Sequence, residues 1–584
     1  MKKNLSILSA LLGLGLTAAA QTANVQVIHN SATPAAATVD IYYFTGTAWG
    51  PTPAISDLAY RTATPYVQLP SGIPNARVAV APGSSTGIGD TLVSFALPSL
   101  AEDADYVAMA AGLVGNATTP FNLFLSGGQQ STGAAQVAVK IFHGATDAPA
   151  VGIFGVADAI NPLVPGLSYG EFTPAYTDLD SGATDVILTL SPDYNTMVGG
   201  FSANTGAFAG SGAVIFASGF LSPSGGQPGF GLFAAFPDGT VAEFDPADFA
   251  RAQVIHNAAD PALAEVDVYV SVPLLGIDIP FLQSFEYKNA TEYIFLPVLP
   301  VPLAVKFTAP GGSPASPVAT IPLTLATNTT YSLIANGVAS TAGGSFANAV
   351  TVNNTAINFN VKIINDAKVR SVTNGNVSVY AVHHGVDAPA VDLLLNNAGT
   401  LTPLVTNVSY NGAALIDAPG ADLRLDVAPT GAGAIKAYAA PLSAFGNQSL
   451  VVLASGFLTP ADENVANLQA FGLFAVPATG GEFIPLPEIN IAGILDGSVE
   501  SLELDVFPNP TMDVVNVKIP ATLNTDATVI VVDMNGKVLK STNLMNQNAN
   551  SGVYSMNVDE LAAGTYSIII TDNKSTFSSR LIKR

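Results

Sequence analysis

The sequence predicts an all-β chain: tandem antiparallel β-sandwich domains of immunoglobulin-like type, four repeats followed by a small C-terminal β-sandwich. Three observations predict it. Segments 25–29, 186–190, 266–270 and 377–382 are short and β-branched or alternate with period two. The chain's 53 Gly and 40 Pro punctuate it every few residues, and no amphipathic segment of helical period and useful length interrupts the pattern. One motif recurs four times at domain-sized spacing, and 584 residues are too many for a single core. Composition narrows the function classes. With 20 basic and 43 acidic residues the net charge is -23, which repels phosphate backbones and excludes a nucleic-acid partner. The absence of Cys removes disulfides, thiolate metal sites and a cysteine nucleophile.

The elements follow in chain order. Lys2 and Lys3, an apolar run over residues 5–16, and Ala18-Ala19-Ala20 before Gln21 form the pattern of a secretory signal peptide, residues 1–20. That run is too short for a stop-transfer anchor, so the mature chain is expected to carry no transmembrane segment.

All five histidines open the repeats. His29, His143 and His256 start the first three copies, and the pair His383-His384 starts the fourth; successive spacings are 114, 113 and 127 residues. An Asp lies four positions beyond the His in three copies, as Asp147, Asp260 and Asp387, whereas the first copy has Thr33. Further landmarks recur in order: Tyr60, Tyr169, Tyr287 and Tyr410; then Gly112, Gly219, Gly337 and Gly456; then Phe121, Phe230, Phe359 and Phe471. His29, Asp40, Tyr60 and Tyr66 map onto His256, Asp267, Tyr287 and Tyr293 with one offset of 227, and the second and fourth copies share Ala-Ser-Gly-Phe-Leu at 217–221 and 454–458. The repeats therefore read as a duplicated pair, type A then type B: 21–133 (A), 134–248 (B), 249–370 (A) and 371–487 (B). A linker, 488–500, leads to a module at 501–584.

The repeat resembles the domain of unknown function 4397 family. Asp147-Ala148-Pro149-Ala150-Val151 and Asp387-Ala388-Pro389-Ala390-Val391-Asp392 carry the opening motif, and Ala81-Pro82-Gly83 and Ala309-Pro310-Gly311 the later turn. The resemblance implies a secreted β-sandwich and no defined activity.

The terminal module differs in charge: residues 500–584 hold nine acidic and seven basic residues, against 34 and 11 in residues 21–499. It resembles the type A C-terminal sorting domain of the type IX secretion system of Bacteroidetes. The motif residues are Pro508, Asn509 and Pro510 after Phe507; Asp533, Gly536 and Lys537, with Asn535-Gly536 reading as a hairpin turn; and Gly564 and Tyr566 ahead of the final strand and a basic terminus. The resemblance implies three things: the type IX translocon and its C-terminal peptidase or sortase as partners, removal of this module, and release outside the cell or attachment to the outer-membrane surface.

The repeated His is the sharpest candidate for chemistry. In 25–29, residues 25, 27 and 29 share a strand face, so His29 points with the core valines. Its expected role is to brace the sandwich corner by bonding the turn backbone or the nearby Asp. One His per repeat is too few for a tetrahedral metal site, and His383 and His384 face opposite ways. No catalytic residue, metal or cofactor is assigned. Gly83-Ser84-Ser85-Thr86-Gly87 has the G-x-S-x-G form without the strand–turn–helix setting of a nucleophile elbow. The acidic runs at 102–105 and 178–185 read as solvated turns, with calcium binding the other possibility. Tyr42, Tyr43, Phe44 and Trp49 lie near the first hairpin, partly in the core. The expected function is a secreted, non-enzymatic surface or extracellular protein, mediating adhesion or binding a glycan or protein. The alternatives are a metal-assisted extracellular hydrolase using the repeated His and Asp, and a purely structural spacer.

Overall fold

Side-chain alternation sets the layers. In the strand Thr22–Asn30, Ala23, Val25 and Val27 enter a sandwich core while Ile28 turns to the opposite face. The computed structural model describes residues 21–339, 344–353, 357–397, 399–489, 504–519, 527–533, 538–544, 552–571 and 576–584. The expected signal peptide, most of the linker, and Gly536 and Lys537 lie outside the described residues. The chain is all-β, with one short α-helix among the described residues.

Two compact units divide it. The first runs to Asp248 apart from residues 157–160 and 193–196; the second takes those two segments and everything from Phe249 onward.

In the first unit, one sandwich pairs a sheet built on Thr22–Asn30 and Asp105–Ala111 with a sheet ordered Ile55–Ala59, Thr38–Phe44, Arg77–Pro82, Val93–Ala96. The next has five-stranded sheets built on Gln136–His143 with Gly212–Ser218, and on Val151–Gly155 with Ala183–Leu190. Each sandwich has its own apolar core. A third cluster joins the outer faces of the two histidine-bearing sheets: Ile28, Val107 and Met109 from one, Phe142, Val214, Phe216 and Phe233 from the other.

The second unit repeats this plan around Phe249–Asn257 with Thr330–Asn336, and Asn376–His383 with Ser449–Ser455. Here Asn289–Ala290 also pairs with Gly481–Glu482, so a short strand from the fourth repeat joins the histidine-bearing sheet of the third. The unit ends in the terminal module, a three-stranded and a four-stranded sheet around Val515, Val517, Val529, Val531, Ile568 and Ile570.

Two features go beyond the expected antiparallel pattern. In every repeat the histidine strand pairs in parallel with the strand that ends at the landmark Gly. The strand after the histidine belongs to the opposite sheet, so the chain crosses the sandwich before it returns beside its starting strand. The α-helix Ala347–Asn353 lies between Gly337 and Phe359, where the third copy is longer than the others. It is too short to be stable alone. Glu463 accepts from the N–H groups of Asn348 and Ala349 at 3.2 and 2.7 Å, and Phe346 stacks on Phe457.

Candidate functional site: the histidine corner

Each repeated His is buried and stands last or next to last in its strand, at a corner of the sandwich. The imidazole Nε2–H donates to a backbone carbonyl of the following turn: His29 to Ala36 at 2.6 Å, His143 to Pro149 at 3.0 Å, His256 to Leu263 at 2.8 Å and His383 to Pro389 at 2.9 Å. In His383 the Nδ1 accepts from Gly385 N–H at 3.2 Å, which fixes the neutral tautomer. Burial outweighs the carbonyl bond and pushes the pKa of His29 and of His256 down to about 4; it lowers His143 and His383 as well. At neutral pH these rings are uncharged donors.

The Asp four positions on does not touch the His. It reaches the loop after the parallel strand. Asp147 accepts from Leu221 and Ser222 N–H, both at 2.8 Å; Asp260 from Ala339 N–H at 2.8 Å; and Asp387 from Leu458 and from Thr459 N–H at 2.7 Å. In the first copy Thr33 Oγ1 takes the same place, accepting from Val114 N–H at 2.9 Å. The departure in sequence therefore keeps the contact. The landmark Gly has φ near +90° in all four copies, and a Cβ there would lie 2.2–2.5 Å from a carbonyl oxygen of the closing segment. Only glycine fits.

The landmark Tyr stands edge-on to the imidazole, with ring centres 6.2–6.4 Å apart in all four repeats. The next residue, Arg61, Gly170, Lys288 or Asn411, has positive φ and donates its N–H to the carbonyl of the histidine itself. Three of these Tyr hydroxyls cross to the partner repeat of the same unit, at the residue before its landmark Gly: Tyr60 to Ser218 at 2.7 Å, Tyr287 to Ser455 at 2.9 Å and Tyr410 to Asn336 at 3.0 Å. In the first unit the fourth position is Ala111, and the Tyr169 hydroxyl is buried with no protein partner among the described residues. Arg61 and Lys288 cross the same joints, lying 4.4 and 4.1 Å from the ring centres of Phe233 and Phe474. Sequence reasoning overlooked this pair, although Tyr60-Arg61 and Tyr287-Lys288 share the offset of 227.

The other candidates are placed as follows. Ser85 sits in the loop between Arg77–Pro82 and Val93–Ala96; its hydroxyl donates to Asp40 and lies 3.0 Å from that of Tyr42. Asp40 also accepts from Asp57 N–H, as Asp267 does from Ser284 and Asp392 from Asn407. All three donors have positive φ and sit at the bulge opposite the Asp. Tyr43 enters the core, and Tyr42 packs with Trp49 on the outer face. Asp105 accepts from Asn24 and Gln130, and Asp178 from Thr132. Among the described residues no group of three or more His, Asp or Glu comes together.

In the terminal module, Asn509 accepts from Ile582 N–H at 2.8 Å and donates to the Arg580 carbonyl, pinning the last strand, Thr576–Lys583, while Phe507, Pro508 and Pro510 stay exposed. Gly564 opens the strand Gly564–Thr571, and the Tyr566 hydroxyl donates to the Ala562 carbonyl at 2.7 Å. Asp533 follows the strand Thr528–Val532. Residues 505–584 match the model of the Secretion system C-terminal sorting domain. The chain carries a type IX sorting tail. That tail sends the protein out of the cell and implies contact with the type IX secretion machinery. Residues 23–154 match the model of the Domain of unknown function (DUF4397). No curated protein matches the sequence. Among solved structures, the chain is similar to the Bacillus anthracis TIE protein (9% identity, 83% of this chain and 75% of that one, TM-score 0.12). It is also similar to PorZ, a surface component of the type-IX secretion system of Porphyromonas gingivalis (11%, 91% and 71%, 0.12), and to surface layer protein SbsC, domains 4–9 (11%, 94% and 91%, 0.10). Scores this low bear on neither fold nor function. No helix among the described residues is long and apolar enough to cross a membrane.

Proposed function

We propose that the exported chain is a non-enzymatic extracellular or cell-surface protein that mediates adhesion or binds a glycan or protein ligand. The observation that best supports this reading is the fate of the recurrent polar side chains. In all four repeats the His donates to a turn carbonyl, and the Asp or Thr33 holds a loop. Groups engaged in this way serve rigidity, which suits a scaffold that presents loops. The signal peptide and the sorting tail would both be removed on export, the tail by the secretion system's C-terminal peptidase or sortase.

The test is an array of glycans and surface proteins probed with the exported protein. Retention by one class identifies the ligand; silence across every class favours the spacer. A hydrolase using the repeated motif would lose turnover in His383→Ala beyond what its loss of folded protein explains.

A further inference from the structure

The hairpin formed by Glu265–Val272 and Ile277–Glu286 ends in Pro273-Leu274-Leu275-Gly276. Leu274 and Leu275 at the apex are 74% and 64% exposed, and Ile277 and Ile279 on one face of the returning strand are 46% and 50% exposed. The matching hairpins of the first and fourth repeats turn through Thr45-Gly46-Thr47 and through Asn396, Asn397 and Gly399. The same fold therefore accepts a polar apex, and the leucines are not needed to make the turn. Between Asp267 and Glu286 the only Asp, Glu, Lys, Arg or His is Asp278, neutralised by Lys306 with Nζ 2.9 Å from its carboxylate oxygens. The apex is thus apolar, protruding and without net charge on a chain of charge -23.

We propose that this hairpin inserts its tip into the apolar layer of a zwitterionic lipid surface. The four side chains expose on the order of 400 Å², the size of a functional patch but about half of the ~800 Å² that each partner gives to a stable protein–protein interface. That area is too small for a dimer of this chain, yet two leucines on a convex turn can enter a bilayer without a complementary groove. The overall negative charge disfavours an anionic surface, and a neutralised tip costs little to desolvate. This goes beyond the proposed ligand binding and is independent of it.

The experiment is flotation of the full chain with phosphatidylcholine vesicles, comparing wild type with Leu274→Asp/Leu275→Asp, whose unchanged thermal transition confirms folding. The expected result is a loss of vesicle binding of at least ~10-fold in the variant. In Leu275→Trp, vesicles of brominated phosphatidylcholine should quench the new tryptophan. Equal binding by variant and wild type, or no binding by wild type, overturns the proposal. So does a concentration-dependent dimer that the double variant dissolves, which would assign the tip to a second copy of the chain.

Discussion

The two units solve the same joint differently. In the first, the outer faces of the histidine sheets meet through Phe142, Phe216 and Phe233 against Ile28 and Met109. In the second, the joint is more polar. His384 is buried there, with Nδ1 3.2 Å from Asn257 Nδ2 and Nε2 3.2 Å from Asn411 Oδ1; Tyr410 bonds Asn336, and the helix Ala347–Asn353 is held by Glu463. Where the second unit has Asn336 facing a Tyr, the first has Ala111. One contact plan can therefore be filled mainly with aromatic packing or with a larger share of hydrogen bonds. The first choice depends on shape, and the second on every polar group finding its partner.

The largest test of this contrast is Phe216→Ala, which empties the aromatic joint. It should cost the first unit about 3–5 kcal/mol. Trp49 is the sole tryptophan and lies in that unit, so its fluorescence in a guanidinium titration reports the shift. Leu453→Ala, buried in the second unit, should leave the Trp49 transition in place.

Acid should separate the units next. A buried imidazole whose folded pKa lies below its unfolded value of 6.5 contributes stability that is complete above pH 6.5 and is lost as pH falls through the folded value. For His29 and His256 that window runs from 6.5 to about 4, and for His384, lowered by desolvation, to about 3. Within it each imidazole contributes a slope of about 1.4 kcal/mol per pH unit. The second unit holds three such groups and the first two, so the second should weaken faster in denaturant titrations between pH 6 and 4.

Asp387 accepts from two backbone N–H groups, Thr459 Oγ1 and Asn348 Nδ2, and is buried, whereas Asp147 is exposed with two donors. Asp387→Ala should cost about 2–3 kcal/mol and Asp147→Ala about 1 kcal/mol. The smallest effect isolates the lost hydrogen bond. Tyr410→Phe removes a bond to Asn336 and should cost about 1 kcal/mol, while Tyr169→Phe, whose hydroxyl has no protein partner among the described residues, should change stability by less than about 0.5 kcal/mol. Equal costs at the two tyrosines would show that the joints are equivalent after all.

Much of this architecture was legible in the residues. Alternation around Val25, Val27 and His29 announced a strand with a buried imidazole, and Phe507 through Pro510 with Gly564 and Tyr566 announced the sorting tail. The histidine's partner was legible only as a choice between turn carbonyl and Asp, because both lie within seven residues of it. The roles of Asp147, Thr33, Arg61 and Lys288 were not legible. Asp147 meets residues 74–75 positions away, and Arg61 meets the Phe233 ring. No local period records contacts at such separations.

By itself the sequence determined the class of the strands, the fourfold recurrence of the histidine motif and the sorting tail, since these depend on side-chain period, spacing and short motifs. Tertiary structure alone decided that the histidine strand runs parallel to its late neighbour, that Ala347–Asn353 is helical, and that repeats meet face to face within a unit. Each of those outcomes depends on partners brought together across roughly 80 to 170 residues, where burial and hydrogen-bond satisfaction outweigh local preference.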